Sequence, residues 1–270
     1  MSQGRSLKFL TSDWEHAVAT ALCVLLVCVV ALTVSHESVA FAAGGNSYTT
    51  KFPVAENPIS DGGRWINGKS AGLKWQNVRT TPGLAIGTQT GRAGQYDDST
   101  AVLSGTWGLN QTVQATAYVT DPNCGVGSQE VELRLRSTVL ANSNTGYEVN
   151  FSTCKGIASD SYMQIVRWNG PLGDYTVLSE HRGRNYGVQN GDLVKATISG
   201  TTVATINVYV NGQQMGQATD PKAFTSGNPG IGFWLKEAFD PTTYGFSNFS
   251  ATDGSGNEPE PPTNLSVIVR

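Results

Sequence analysis

Between positions 129 and 168 the chain reads QEVELRLRSTVLANSNTGYEVNFSTCKGIASDSYMQIVRW, and in its first two strand-like runs every second residue is apolar. Glu, Arg or Asn fill the places between. Strict alternation marks a strand with one buried face and one polar face. It predicts an antiparallel hairpin in which Val131, Leu133 and Leu135 share an inner face with Tyr147, Val149 and Phe151. Burying six such side chains, at about 1.5 to 3 kcal/mol each, holds the register against a one-residue slip. With Asn150 set opposite Arg134 and Glu148 opposite Arg136, the outer face carries Glu132, Arg134, Arg136, Glu148 and Asn150. The third run, 162–168, allows two phases. If Met163 and Ile165 point inward, Tyr162, Gln164 and Trp168 join the polar face; if Tyr162, Val166 and Trp168 are core, Arg167 joins it instead.

The same patterning continues on both sides of this block. Runs at 46–52, 84–87, 101–103, 112–119, 176–179, 193–198, 203–210, 213–218, 230–235 and 244–251 bring the expectation to about 13 strands, with no mature helix. Segment 55–72 is dense in Gly, Asn, Asp and Pro and reads as a loop in which Trp65 plugs the edge of the core. Asn211-Gly212, between VYV and QQM, is the firmest hairpin signal, because both residues tolerate the positive φ that a type I′ turn needs. Composition agrees: 31 glycines in 270 residues and only 14% charged residues suit many tight turns between short strands. A net charge of −3 gives no basic footprint, so nucleic acid is excluded as the natural partner, as are anionic membrane surfaces.

The ends are of other kinds. Residues 17–34 form an uncharged apolar run, followed by Ala40-Phe41-Ala42, which fits cleavage after Ala42; residues 1–42 are read as a signal peptide, with a membrane anchor through 17–34 as the alternative. Either way the body, 44–253, is exported to the cell surface or the medium. Segment 254–270 is a Gly/Pro-rich linker and tail. Cys23 and Cys28 fall in the apolar run, which leaves Cys124 and Cys154 in the body, one just before strand 130–136 and the other just after strand 147–152. The hairpin brings both to one open end, so a disulfide is expected there, against the alternative of two buried thiols.

The order VYVNG, then SGNPGIGFW, then YGFSNFSATD as a closing strand resembles the C-terminal half of a concanavalin A-like (laminin G-like) jelly-roll domain, over roughly 48–253. The resemblance implies an all-β fold: an antiparallel β-sandwich jelly roll of two curved sheets, whose concave sheet holds a sugar chain in carbohydrate-acting members. The polar face of the central block, with Trp168 and with Trp234 in GFWLK, is then the expected ligand surface, since sugars are gripped by flat aromatic faces beside fork-shaped polar groups. The partner implied is an acidic or neutral polysaccharide. No cofactor is required; a structural calcium is common in such folds, and Asp61, Asp97, Asp98 and Asp253 offer oxygen ligands without a diagnostic spacing.

Two functions stay open at this point. One is a carbohydrate-binding module; the other is a polysaccharide-cleaving enzyme, lyase before glycoside hydrolase, in the same groove. Retaining glycosidases of this fold display a Glu-x-Asp-x-x-Glu strand, whereas Glu130-Val131-Glu132-Leu133 runs on into Arg134. A weaker similarity to jelly-roll alginate lyases covers the strands ELRLRS and MQIVRW; Gln164-Ile165 matches, but Val166 stands in place of the His. His181, in the polar segment SEHRGRN, is the one histidine of the body and reads as a solvated loop residue.

Overall fold

The structure is a computed structural model, and it describes residues 45–91, 98–122, 124, 128–237 and 240–254. The signal or anchor segment, Asp97 and the C-terminal linker lie outside the described residues. Within the described residues no helix is long and apolar enough to cross a membrane.

Among the described residues fifteen strands are present: β1 (Ser47–Thr50), β2 (Trp65–Asn67), β3 (Val78–Thr81), β4 (Leu84–Gly87), β5 (Ser99–Leu103), β6 (Gln111–Val119), β7 (Ser128–Leu140), β8 (Ser143–Ser152), β9 (Tyr162–Pro171), β10 (Tyr175–Arg182), β11 (Leu193–Ser199), β12 (Ala204–Val210), β13 (Gln213–Asp220), β14 (Asn228–Lys236) and β15 (Tyr244–Thr252). The two beyond expectation are β2, buried in what reads as a loop, and β3. A seven-stranded antiparallel sheet has the order β10-β9-β8-β7-β14-β5-β2; an eight-stranded one has β13-β12-β11-β6-β15-β4-β3, with β1 on β15. Two facing antiparallel sheets with the last strand returned beside the first form the jelly-roll sandwich.

Alternation decides what lies between the sheets. Val131, Leu133, Leu135, Tyr147, Val149 and Phe151 are all fully buried in one core cluster with Val113, Ala115 and Ala117 of β6 and Ile206 and Val208 of β12. Trp65 joins that core, edge-on to Tyr48 at 5.6 Å. Asn211 and Gly212 take φ of 52° and 81°, as the hairpin signal requires, and set Val210 opposite Gln213.

The β7–β8 register differs from expectation by two residues. Glu132 faces Asn150 and Arg134 faces Glu148. A two-residue shift keeps every side chain on its face, so the apolar pattern is satisfied equally by both pairings. What selects the observed one is a bulge between Leu135 and Thr138, where Arg136 has φ 45°. The bulge is packed between two glycines: a Cβ on Gly146 would come within 2.5 Å of Ser137 Cα, and one on Gly227 within 2.2 Å of the Arg136 carbonyl carbon.

Cys124 and Cys154 form the disulfide, with Cα atoms 5.7 Å apart. His181 lies on β10, not in a loop, and its ring stacks on Tyr186 at 5.2 Å.

Candidate functional site

The outer face of the seven-stranded sheet carries a groove of about 370 Å³. Its floor is built by β7, β8 and β9. Met163 and Ile165 are buried between the sheets, so Tyr162, Gln164 and Trp168 stand on the outer face, the first of the two phases the sequence allows. Glu148, Asn150, Gln164 and Trp168 line the groove, Trp234 forms its β14 wall, and Glu130 joins from β7.

Beneath the floor lies a buried charge cluster. Arg134 is fully buried; its Nη2 pairs with Glu132, and its Nη1 lies 2.7 Å from Glu148 Oε2 at an angle outside that of a hydrogen bond. Room for this pair comes from β14, where a Cβ at Gly232 would stand 2.1 Å from Glu132 Oε2. The guanidinium also stacks over Trp75 at 4.9 Å, and Trp75 meets Trp168 edge-on at 4.8 Å. Burial works against the charge on Arg134, but Glu132 and Glu148 outweigh it and hold its pKa up. Three carboxyls, on Glu130, Glu132 and Glu148, bring oxygens within 4.8 Å of one another around this one cation. Ionising all three in a buried site is unfavourable. Burial, then the nearby Glu148, push Glu130 up to about 8, partly offset by the hydroxyl that Tyr162 donates to it. Burial likewise pushes Glu132 well up, against the pull of Arg134, and raises the Tyr162 phenol.

From this cluster a chain of hydrogen bonds runs outward. Trp168 Nε1 donates to Glu148 Oε2 at 2.6 Å, and Asn150 Nδ2 donates to Glu148 Oε1 at 2.9 Å and to Gln164 Oε1 at 3.3 Å. Gln164 Nε2 donates to Glu180, which also accepts from Arg182 at the rim. Because Asn150 faces two acceptors, its amide orientation is settled, and its Oδ1 is left buried with no partner among the described residues. The groove wall therefore holds fixed polar groups beside aromatic rings.

Of the residues expected here, Glu132, Arg134, Glu148, Asn150, Tyr162, Gln164, Trp168 and Trp234 do gather on this face, with Glu132 and Arg134 below the groove and Tyr162 beyond its end, none of the three lining it. Arg136 does not gather with them. The bulge turns it away, and it donates to the carbonyls of Leu109 at 2.8 Å, Phe224 at 2.9 Å and Gly200 at 2.7 Å. Burial lowers its pKa. Nor do the expected oxygen ligands for calcium converge among the described residues. Asp253 accepts from Asn46 and from Gly108 N, Asp61 accepts from Tyr48 Oη, and Asp98 lines the groove. The acidic cluster that does exist is the buried Glu130, Glu132 and Glu148.

Four contributors escaped the sequence pattern. Trp75 lies in a segment outside any strand and covers the outer face with Leu73 against Val166 and Trp168. Asp98, Lys236 and Tyr175 line the groove, Tyr175 at 44% exposure and 5.2 Å from the Trp168 ring. Tyr175 and Lys236 fall one residue outside the expected runs 176–179 and 230–235; a pairing of β9 with β10 sets Tyr175 opposite Trp168, and Lys236 lies two residues beyond Trp234 on the same strand face.

No family model matches the chain, and no curated protein matches it in sequence. Solved structures match in fold. A carbohydrate-binding module, CBM66 from Bacillus subtilis, is 16% identical over 73% of this chain and 96% of its own, with a TM-score of 0.46. The potassium-bound carbohydrate recognition domain of Emp46p is 10% identical over 77% and 99%, TM-score 0.47. The CBM2 module of the evolved Dit protein of Lactobacillus casei BL23 phage J-1 is 9% identical over 80% and 99%, TM-score 0.48. With TM-scores below 0.5, these likenesses carry no argument about this chain.

Proposed function

We propose that this protein is an exported carbohydrate-binding module that holds a neutral polysaccharide in the groove on the outer face of the seven-stranded sheet. The observation that carries the reading is the juxtaposition of Trp234 and the exposed Tyr175 with Asn150 and Glu148, whose orientations are fixed from below. Flat apolar faces beside preset hydrogen-bonding groups match the alternation of C–H faces and hydroxyls on a sugar. Charge argues for neutrality. Arg134 is spent on Glu132 and Glu148, and Arg136 is elsewhere, so neither cation meets a ligand carboxylate. The disulfide fits an oxidising, extracellular setting.

One observation favours a second reading. Glu130, its carboxyl pushed up to about 8, and Glu148 both line the groove with carboxyl oxygens within 4.8 Å, somewhat closer than the roughly 5 to 5.5 Å of retaining glycosidases. A lyase needs a cation to neutralise a uronate carboxylate, and Arg134 and Arg136 are both engaged outside the groove.

Affinity electrophoresis of the protein in gels containing xylan, barley β-glucan, laminarin, chitosan or alginate tests both. Retardation by at least one neutral polymer, reduced tenfold or more in Trp234→Ala and in Tyr175→Ala, is expected. Absence of retardation in every gel, or equal retardation of both variants, refutes the binding reading. Reducing ends released from the retarding polymer by the native chain but not by Glu130→Gln would establish the hydrolase instead.

A further inference from the structure

A second cavity, of about 220 Å³, lies at the end of the same sheet where β7 begins and β8 ends. Lys236 lines both cavities, and the hydrogen bond from Tyr162 to Glu130 joins a residue of the second to a residue of the first. The two lie in line along the strands. In the β8–β9 register the first covers the rows Glu148 with Val166 and Asn150 with Gln164; the second takes up at Ser152, whose Oγ accepts from Tyr162 N at 3.0 Å. From Trp168 to Tyr162 is six residues of strand, roughly 20 Å at about 3.3 Å per residue, several times the width of one sugar ring.

The two cavities differ in chemistry. The first is walled by aromatic rings. The second has no indole and only the ring of Tyr162; it offers Asp160, Glu237, Lys236 and the Ser128 hydroxyl, beside Ser152 and Ser161, whose hydroxyls bond each other at 2.7 Å. Its back wall is held in place: Cys154 is tied to Cys124, Thr153 Oγ1 donates to Pro122 O at 3.2 Å, and Ser161 Oγ donates to Tyr186 O at 2.8 Å. Groups of both hydrogen-bonding senses, set in a rigid recess next to the aromatic groove, suit the hydroxyls of a neighbouring sugar unit and nothing apolar.

We infer that the second cavity is a further subsite of the groove, and that the ligand is a chain of at least two hydroxyl-rich units laid along β8 and β9, crossing beside Lys236. The inference rests on the carbohydrate reading above and adds length and direction to it. In the aromatic cavity a unit is held by ring contact. In the polar cavity the next is held mainly by hydrogen bonds, with Tyr162 as its one ring.

Titration calorimetry with xylo-, cello- and laminari-oligosaccharides of one to six units tests it on the full chain. For the series that binds, affinity rises at least tenfold from one unit to the length that fills both cavities and then levels off. Ala158→Trp, which fills the second cavity, and Asp160→Ala, at an exposed position on its rim, both lower the affinity of long oligomers toward the single-unit value and leave the single unit unchanged. Affinity independent of length, or equal losses for short and long oligomers in both variants, overturns the subsite while the carbohydrate reading stands. Failure of every series and every polymer to bind overturns the carbohydrate reading, and the subsite with it.

Discussion

Glu130 is the residue whose state decides the charge of the groove. Its carboxyl is buried at the foot of the wall formed by Trp234, opposite it in the β14–β7 register, and shares a small volume with Glu132 and Glu148. On its own strand Arg134 is the countercharge; from β9 the Tyr162 phenol donates to it, and Arg182 on β10 is the next cation outward. With a pKa near 8 in the fold and an ordinary value of 4.5, it stays protonated in the folded chain over a range in which the unfolded chain has released the proton. The native state then binds more protons than the unfolded one, so stability is fully present below 4.5, falls as pH rises, and levels off above about 8. At about 1.4 kcal/mol per pKa unit, the loss across that window is of the order of a few kcal/mol. Glu130→Gln, which keeps the shape and removes this one titration, should make the dependence shallower, with Glu132, also pushed up by burial, keeping its own share. Urea midpoints of both proteins between pH 4.5 and 8.5 check this; parallel curves would mean that another group is responsible.

At the scale of elements, the alternation along β7 and β8 told which residues face inward, and the six core residues are where it put them. It was blind to the register, because pairings two residues apart bury the same six side chains. The difference is set by the bulge at Arg136, and the bulge is set by a partner with no side chain: Gly146 lies across from it with φ 128°, leaving 2.5 Å for any Cβ. A glycine in a strand-like run reads only as a weakness, so a packing cause of this kind is hidden from pattern analysis. Gly146→Ala should therefore cost about 2 to 4 kcal/mol, more than a surface Gly→Ala change, by combining backbone strain with a clash against Ser137. Chemical denaturation measures it. A loss under 0.5 kcal/mol, on the order of an ordinary surface substitution, would show that the bulge does not depend on this glycine. The same blindness explains Arg136, which pattern put on the outer face and the bulge sends to the carbonyls of Leu109, Phe224 and Gly200.

For the molecule as a whole, the groove is made of pieces that meet only when the sheet and the covering segment are in place: Asp98 and Trp75 from before the central block, Trp168 at its end, Tyr175 from β10, Trp234 and Lys236 from β14. Strand content, the Asn211-Gly212 hairpin and the disulfide were legible because each has a local or alternating signature; the two-sheet class came only from the resemblance of the C-terminal segments to a jelly roll. The groove's charge was not, because it depends on which ions neutralise one another in space. In sequence the alternating Glu and Arg leave an acidic and a neutral polymer equally open; folded, Arg134 is buried between Glu132 and Glu148, and the charged groups that line the groove are Asp98, Glu130, Glu148 and Lys236. With Glu130 protonated, Lys236 faces two carboxylates, and a polyanion entering there would gain one cation and meet two like charges. Binding of the retarding neutral polymer should accordingly change less than twofold between 50 and 500 mM NaCl, since no charge on the ligand is there to be screened. Alginate, if it binds at all, should bind more weakly than any neutral polymer at low salt. A steep loss of affinity with salt, or tighter binding of alginate, would place a cationic surface at the site and point away from this groove.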